Sequence, residues 1–348
     1  MAQDPSQAVL EALLRQSHGQ GLWLVDENIS PPAIPALSEM LVVGNRFDRV
    51  RSLGEHGWNA QFSDFDLSRL ESATIDQIFY RVSKEKAVVH HLINESARVL
   101  RPGGELILVG EKNDGIKTYA RKAQMRLGGE RTERKQGNVW TATLIQSAPG
   151  EPLDDQHYND LRALLPTRDD SAGYLTKPGL FGWNKIDQGS AYLIEELPGM
   201  LNQALPLHQP TLDLGCGFGY LALNACNKDT ELVCTDNNAA ALAACRANLE
   251  QRGFSNARVI ASDAGDCVQG AFDIILCNPP FHAGFSIEGD LTDRFLQQTQ
   301  RLLKPAGTAC FVVNQHIPLE RKAHNRFAQV HTHADNGHFK LITLKQPR

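Results

Sequence analysis

No stretch of the chain approaches the ~18 consecutive apolar residues of a membrane-spanning helix. The opening Met1-Ala2-Gln3-Asp4-Pro5 has none of the basic-then-apolar pattern of an export signal. Both absences point to a cytoplasmic protein with no membrane partner. No C-x-x-C pair occurs among the seven cysteines, all of which fall between Cys216 and Cys310. An odd number of thiols confined to expected strands and helices suits reduced, buried core residues rather than disulfides or a zinc site, so no metal is expected. Positive charge is also missing in bulk: at a net charge of −5, any polyanion has to be held by a local patch. The glycine-rich loop at residues 215–219 is neither a GxGxxG fingerprint nor followed by Lys-Ser/Thr, so it cradles no pyrophosphate.

What is present describes a globular chain of two domains: 348 residues, 42% apolar and 22% charged. Helical spacing of Val9, Leu10, Leu13 and Leu14 predicts a first helix over 7–16, and short apolar runs at 22–25 and 41–43 read as parallel strands. A strand at 75–80, a helix over 84–100, the turn Arg101-Pro102-Gly103-Gly104 and a strand at 105–109 follow. The same order returns later as a strand at 272–277, a helix over 291–303, the turn Lys304-Pro305-Ala306-Gly307 and a strand at 308–313. Residues 99–104 match 302–307 almost position for position, which implies an internal duplication of one α/β fold. The expected division is a domain at 1–146, a Pro- and Asp-rich linker at 147–172 with at most a short helix near Tyr158, and a second domain at 173–348.

The copies differ where chemistry would sit. In the second, a strand ending at Asp213-Leu214 runs into Gly215-Cys216-Gly217-Phe218-Gly219 and a helix. Alternate glycines let the backbone turn tightly and approach a ligand, which suits a nucleoside without phosphates. The next strand ends in Asp236, placed to accept from ribose hydroxyls, and the third in Asp263, placed to meet an adenine amine. A fourth strand ends in Asn278-Pro279-Pro280-Phe281. Two prolines stop it in a stiff loop at the carboxyl end of the sheet, where ligands of open α/β folds bind. Asn278 offers an acceptor and a donor and Phe281 a flat apolar face, which together fit a planar group bearing an exocyclic NH2; a plain turn after a strand is the simpler alternative. The first copy has Arg81-Val82-Ser83-Lys84 at that place and no glycine loop, so it is expected to be catalytically empty. Asp187-Gln188-Gly189-Ser190 reads as a helix N-cap or as a cap beside a ligand, and pattern does not separate the two.

These motifs resemble those of class I S-adenosylmethionine-dependent methyltransferases. Together with His282, the Gly179-x-Phe181 and Asp187-x-Gly189-Ser190 elements and the empty first copy, they resemble, over essentially the full length, the bacterial ribosomal RNA guanine-N2 methyltransferases, of the methyltransferase C type that acts on the small ribosomal subunit and the methyltransferase G type that acts on the large one. The chain departs from the small-subunit relatives in carrying Ile186 where they usually have an Arg. The resemblance implies two tandem Rossmann-like domains, the first degenerate, and methylation of the exocyclic N2 of a guanine in 16S RNA of the 30S subunit. It implies cofactor binding by Asp213, Gly215, Gly217, Gly219, Asp236, Asp263 and Asn278, catalysis by Asn278, Pro279 and Phe281, and base binding by Pro280, Phe281 and His282. A duplication within one chain suits a monomer.

Other readings stay open at this level. The same reaction on 23S RNA shares the motifs; a protein glutamine-N5 methyltransferase also meets a planar amide, though such enzymes usually carry Tyr at the Phe281 position; a non-catalytic RNA chaperone would not need the Asn278 loop. Eight Lys or Arg between 111 and 135 form either a solvated helix face or an RNA-docking face. His331, His333 and His338 flank the turn signal Asp335-Asn336-Gly337, which favours a terminal hairpin over a metal site.

Overall fold

A computed structural model of the chain describes residues 4–30, 32–164, 173–280 and 285–348, with side chains described outside 281–290. The chain divides into two units, Met1–Asp160 and Leu161–Arg348. The first runs α1 (Pro5–Leu14), β1 (Gly21–Val25), β2 (Met40–Gly44), α2 (Phe47–Glu55), β3 (Asn59–Phe62), β4 (Ile75–Arg81), α3 (Lys86–Val99), β5 (Leu100–Glu111), α4 (Ile116–Leu127), β6 (Gly128–Gln136) and β7 (Val139–Gln146). Its sheet has the order β3-β2-β1-β4-β5-β7-β6. The strands from β1 to β5 pair in parallel, and β7 and β6 close the edge as an antiparallel hairpin.

The second unit opens with a two-stranded hairpin, β8 (Arg162–Leu164) and β9 (Tyr174–Thr176). It continues through α5 (Gln188–Leu201), β10 (Thr211–Leu214), α6 (Tyr220–Ala225), β11 (Leu232–Asp236), α7 (Ala239–Gln251), β12 (Ala257–Ala261), β13 (Phe272–Cys277), α8 (Phe285–Leu302), β14 (Leu303–Asn314), α9 (Leu319–Ala323), β15 (Phe327–Asp335) and β16 (Phe339–Pro347). The sheet order, β12-β11-β10-β13-β14-β16-β15, is that of the first unit strand for strand. Each sheet is covered on both faces by its own apolar clusters, around Leu92 and Trp23 in one unit and around Leu276 and Phe311 in the other. Two covered faces explain why the parallel strands are near-continuous apolar runs.

The duplication extends to detail. The two Pro-Gly turns lie within long strands, β5 and β14, and each coincides with a register shift against the neighbouring strand, between Ile75 and Gln77 and between Phe272 and Ile274. A Cβ on Gly104 would come within 3.1 Å of the Ile75 and Asp76 carbonyls, and one on Gly307 within 3.0 Å of those of Phe272 and Asp273. Glycine is therefore demanded at the same point of both copies by the same backbone crowding. An ion pair from the turn to the facing strand repeats as well, Arg101 with Asp76 and Lys304 with Asp273.

Residues expected to begin the linker belong to the first unit. Tyr158 is fully buried, donates to Asp64 Oδ1 at 2.6 Å and stacks on His91 at 4.7 Å, while Leu153 exchanges two hydrogen bonds with Asn94 on α3. Where at most a short helix was expected near Tyr158, the described residues form a turn at 158–159 followed by β8. Pro166, Asp169 and Asp170 lie outside the described residues.

Arg81, which ends β4, occupies the place that Asn278 holds after β13. Its guanidinium pairs with Asp4 at 3.1 Å and Asp114 at 3.3 Å and donates to the Val82 carbonyl. Removing it strands two carboxylates, one of them nearly sealed from water. Arg81→Ala is expected to destabilise the first unit by about 3 kcal/mol in urea unfolding; a change within about 0.5 kcal/mol would mean that the pairs are solvent-screened.

Candidate active site

The glycine loop follows β10 because its three glycines all adopt the left-handed backbone, with φ of 84° at Gly215, 54° at Gly217 and 90° at Gly219. A non-glycine residue would be strained at each place. The reasons for openness differ. A Cβ on Gly219 would press on Cys245 Sγ at 3.1 Å, whereas one on Gly217 would meet nothing within 4 Å. Gly217 thus faces open space beside the strand ends. A side chain on Gly215 would lie 3.9 Å from the Asn278 carbonyl, so the glycine loop and the Asn-Pro-Pro loop are neighbours.

Asp236, half-buried at the end of β11, fixes the loop from the side: its Oδ2 accepts from Gly217 N at 3.0 Å and its Oδ1 from Asn238 N at 2.9 Å. Asn238 caps α7 through Ala240 N and donates to the Gly179 carbonyl at 2.8 Å, which brings the Gly179–Phe181 segment to the same end of the sheet. Phe181 is 63% exposed there, while Ile186 is half-buried against the apolar core.

Asp213 does not reach this surface. It is fully buried, and its Oδ2 accepts from Ala222 N at 3.0 Å, tying β10 to α6 beneath the loop. The resemblance placed it among the cofactor contacts; the structure makes it a support for the glycines instead. Burial first, then the nearby Cys245 and Asp236, pushes its carboxyl well above the usual range. Cys216 and Cys245 are also buried here, and hydrogen bonding with the Cys234 and Cys245 sulfurs pushes the Cys216 thiol up. All seven cysteines are free, as expected, but Cys267 is exposed rather than part of the core.

Asp263, half-buried after β12, is ion-paired with Arg294 of α8. A ligand amine meeting Asp263 would share the carboxylate with that guanidinium. Seven residues further along α8, Arg301 donates to the Val268 and Gly265 carbonyls, so one face of the helix holds the whole 263–268 loop. Sequence reading missed both arginines; their spacing of two helical turns was the available signal.

Asn278 is the best-determined group of the site. Its Nδ2 donates to Asp187 Oδ2 and to Ser190 Oγ, each at 2.8 Å. The same Asp187 oxygen caps α5 by accepting from Ser190 N at 2.8 Å. A carboxylate accepts and cannot donate, so the amide can be turned only one way, with Oδ1 as the acceptor presented to a ligand. The Asp187 element is therefore both helix cap and active-site support. Gly189 is required for close passage, since a Cβ there would lie 3.1 Å from the Phe339 ring and 3.2 Å from Asp187 Oδ2. Pro279 is buried and Pro280 exposed; Phe281 and His282 lie outside the described residues. His331 and His333 stand on the outer strand β15 of the terminal hairpin, with ring centroids 6.4 Å apart.

Left-handed glycines with room at Gly217, a half-buried carboxylate at each of two successive strand ends and an oriented amide fit a phosphate-free nucleoside with a second planar group beside it.

An acid whose folded pKa lies above its unfolded value keeps its proton in the fold after the unfolded chain has released it. Stability is therefore lost as pH rises past about 4. Asp213→Asn keeps an oxygen for Ala222 N and cannot ionise. Its stability relative to the unsubstituted protein is expected to rise between pH 4 and neutrality in urea unfolding; a difference independent of pH would contradict a protonated, buried Asp213.

The chain is similar to known proteins along essentially its whole length. The methyltransferase small domain model matches residues 172–343, and the methyltransferase small domain N-terminal model matches residues 27–128. The ribosomal RNA small subunit methyltransferase C of Shewanella loihica is 30% identical over 359 aligned positions, covering 99% of this chain and 100% of the relative. That of Shewanella amazonensis is 30% identical over 301 positions, 84% of this chain and 83% of the relative. Among solved structures, the Thermus thermophilus 16S rRNA N2 G1207 methyltransferase, determined with AdoMet and guanosine, superposes with a TM-score of 0.84 at 24% identity over 99% of this chain and 92% of that one. With a relative matched from end to end and both halves accounted for by the paired domain models, the chain belongs to the ribosomal RNA small subunit methyltransferase C family.

Proposed function

We propose that this protein transfers a methyl group from S-adenosylmethionine to the exocyclic N2 of a specific guanine in 16S ribosomal RNA. The carrying observation is the Asn278 amide, locked by Asp187 and Ser190 at a strand end that adjoins the glycine loop. Family membership adds the substrate: the relatives named above are small-subunit RNA methyltransferases, and one acts on N2 of a 16S guanine. The reading includes a monomer acting in the cytoplasm; no helix among the described residues is long and apolar enough to cross a membrane.

The cofactor would be held by Gly215, Gly217 and Gly219 along its chain, by Asp236 at the ribose and by Asp263 at the adenine amine, with Asp213 bracing the loop from below. When bound, it supplies a methyl on a sulfonium sulfur, already strongly electrophilic. The protein's task is to improve the acceptor. Guanine N2 is a weak nucleophile because its lone pair is delocalised into the ring. Asn278 Oδ1 and the Pro279 carbonyl each accept one N2 hydrogen, which favours a pyramidal nitrogen and aims its lone pair. The family resemblance assigns stacking on the extruded base to Phe281 and base binding to Pro280 and His282. As the N–CH3 bond forms, the surplus proton on N2 passes to water, because Asn278 cannot accept it.

Labelled S-adenosylmethionine offered to unmodified 30S and 50S subunits and to their naked RNAs tests the reading. Label is expected in 16S RNA as N2-methylguanosine; label in 23S RNA or in protein would overturn the substrate. Asn278→Ala is expected to lower turnover by roughly 100-fold or more with cofactor affinity retained. Asp236→Ala should weaken cofactor binding about tenfold or more, read by calorimetry.

A further inference from the structure

The duplicated sheet provides an internal comparison at its outer hairpins. In the second unit, the outermost strand β15 contains no Lys or Arg. In the first, β6 carries Arg131, Arg134 and Lys135, and α4 contains four basic residues and no acid. Two of the helical cations are committed locally, Lys122 to His90 at 2.9 Å and Arg126 to the Gly150 carbonyl at 2.7 Å. One of the other two, Lys117, meets Lys135 of β6 at one aromatic ring. Lys117 Nζ lies 3.9 Å from the centroid of Trp140 on β7, and Lys135 Nζ 5.7 Å from the same centroid. Lys135 is the direct cross-strand partner of Trp140, so both project from one face of the hairpin. Arg121 stands one turn along α4 from Lys117 on the same side of the helix. Lys117, Arg121 and Lys135 are all exposed, and none is ion-paired with a carboxylate among the described residues.

Two ammonium groups drawn to one indole repel one another, and the carboxylate that shares their strand face, Glu133, is paired with Arg131. The ring's quadrupole offsets only part of that cost. A row of anions spaced along a polymer relieves it, and this happens on a chain whose net charge is −5, so the patch is local rather than a reflection of overall basicity.

We propose that α4 and the β6–β7 hairpin of the first unit form a binding face for the phosphodiester backbone of RNA, with Lys117, Arg121 and Lys135 as the phosphate contacts and Trp140 as the rigid base that positions the two lysines. This gives the catalytically empty copy a substrate-binding role, and it rests on the reading of the chain as an RNA methyltransferase. The contacts are to phosphates, so they add affinity without sequence preference.

The test is the triple variant Lys117→Gln, Arg121→Gln, Lys135→Gln in the full chain, with a matching triple to Glu. Binding to naked 16S RNA is measured across a salt series, separately from methyl transfer, so the binding result stands even if the proposed reaction fails. The Gln variant is expected to bind at least about tenfold more weakly at low salt, with the log–log salt slope shallower by about 2 for three lost contacts. The Glu variant should bind more weakly still. Cofactor affinity is expected to stay unchanged, and methylation at saturating RNA to keep its turnover while KM rises. Unchanged affinity and slope would overturn the proposal and leave these charges as protection of an exposed sheet edge. Loss of binding to 30S subunits with naked-RNA binding intact would also overturn it, in favour of a protein contact.

Discussion

The site depends on one carboxylate serving two neighbours. Asp187 caps α5, which precedes β10, and through the same oxygen it takes a hydrogen from Asn278, the residue that follows β13. The first unit has the same link: Asp4 caps α1 through Ser6 N and accepts from Arg81 Nε at 3.1 Å. Helix cap and strand end are thus joined in both copies. What changed is the side chain at the strand end. An amide leaves one oxygen to present outward, whereas a guanidinium has only donors, which here are turned on Asp4, Asp114 and a backbone carbonyl. One copy presents an acceptor to a ligand; the other uses the same position to fasten itself.

The rest of the site is arranged around backbone rather than charge. The glycine loop is held from below by Asp213 and from the side by Asp236, so its left-handed turns are prepared before any ligand arrives. Asp263 is aimed by its pairing with Arg294, and its loop is gripped by Arg301. Preorganisation of this kind suits a reaction in which the electrophile is supplied ready-made and the protein mainly orients the acceptor.

Much of this was legible in the sequence because it is local. The glycine loop, the acids at strand ends and the Asn-Pro-Pro stop are each a few residues long, and the repeat at 99–104 and 302–307 survives because backbone crowding demands glycine in both places. What was illegible is long-range or short. The Asp187–Asn278 bond joins residues 91 apart, so the cap could not be told from a ligand neighbour. Tyr158 reads as linker until Asp64, 94 residues away, is found beneath it. The strand β3, Asn59–Phe62, is four residues long with no fully buried position, and α2 precedes it with only two buried apolar positions. The basic stretch after residue 111 looked like one helix face because α4 is helical; its second half turns into the edge strand β6. Asp213 was misplaced for a related reason, since a strand-end motif does not reveal whether its side chain points to ligand or core.

The central claim is that Asp187 acts on the reaction through Asn278, and a double-mutant cycle tests it most directly. Single-turnover methylation of 16S RNA would be measured for Asp187→Ala, Asn278→Ala and the double variant, at saturating cofactor and under conditions where each is folded. The account predicts that Asp187→Ala slows the unsubstituted enzyme by roughly 10- to 100-fold and has almost no further effect once Asn278 is gone. The same loss in both backgrounds would show that Asp187 works independently of the amide, and would contradict the account.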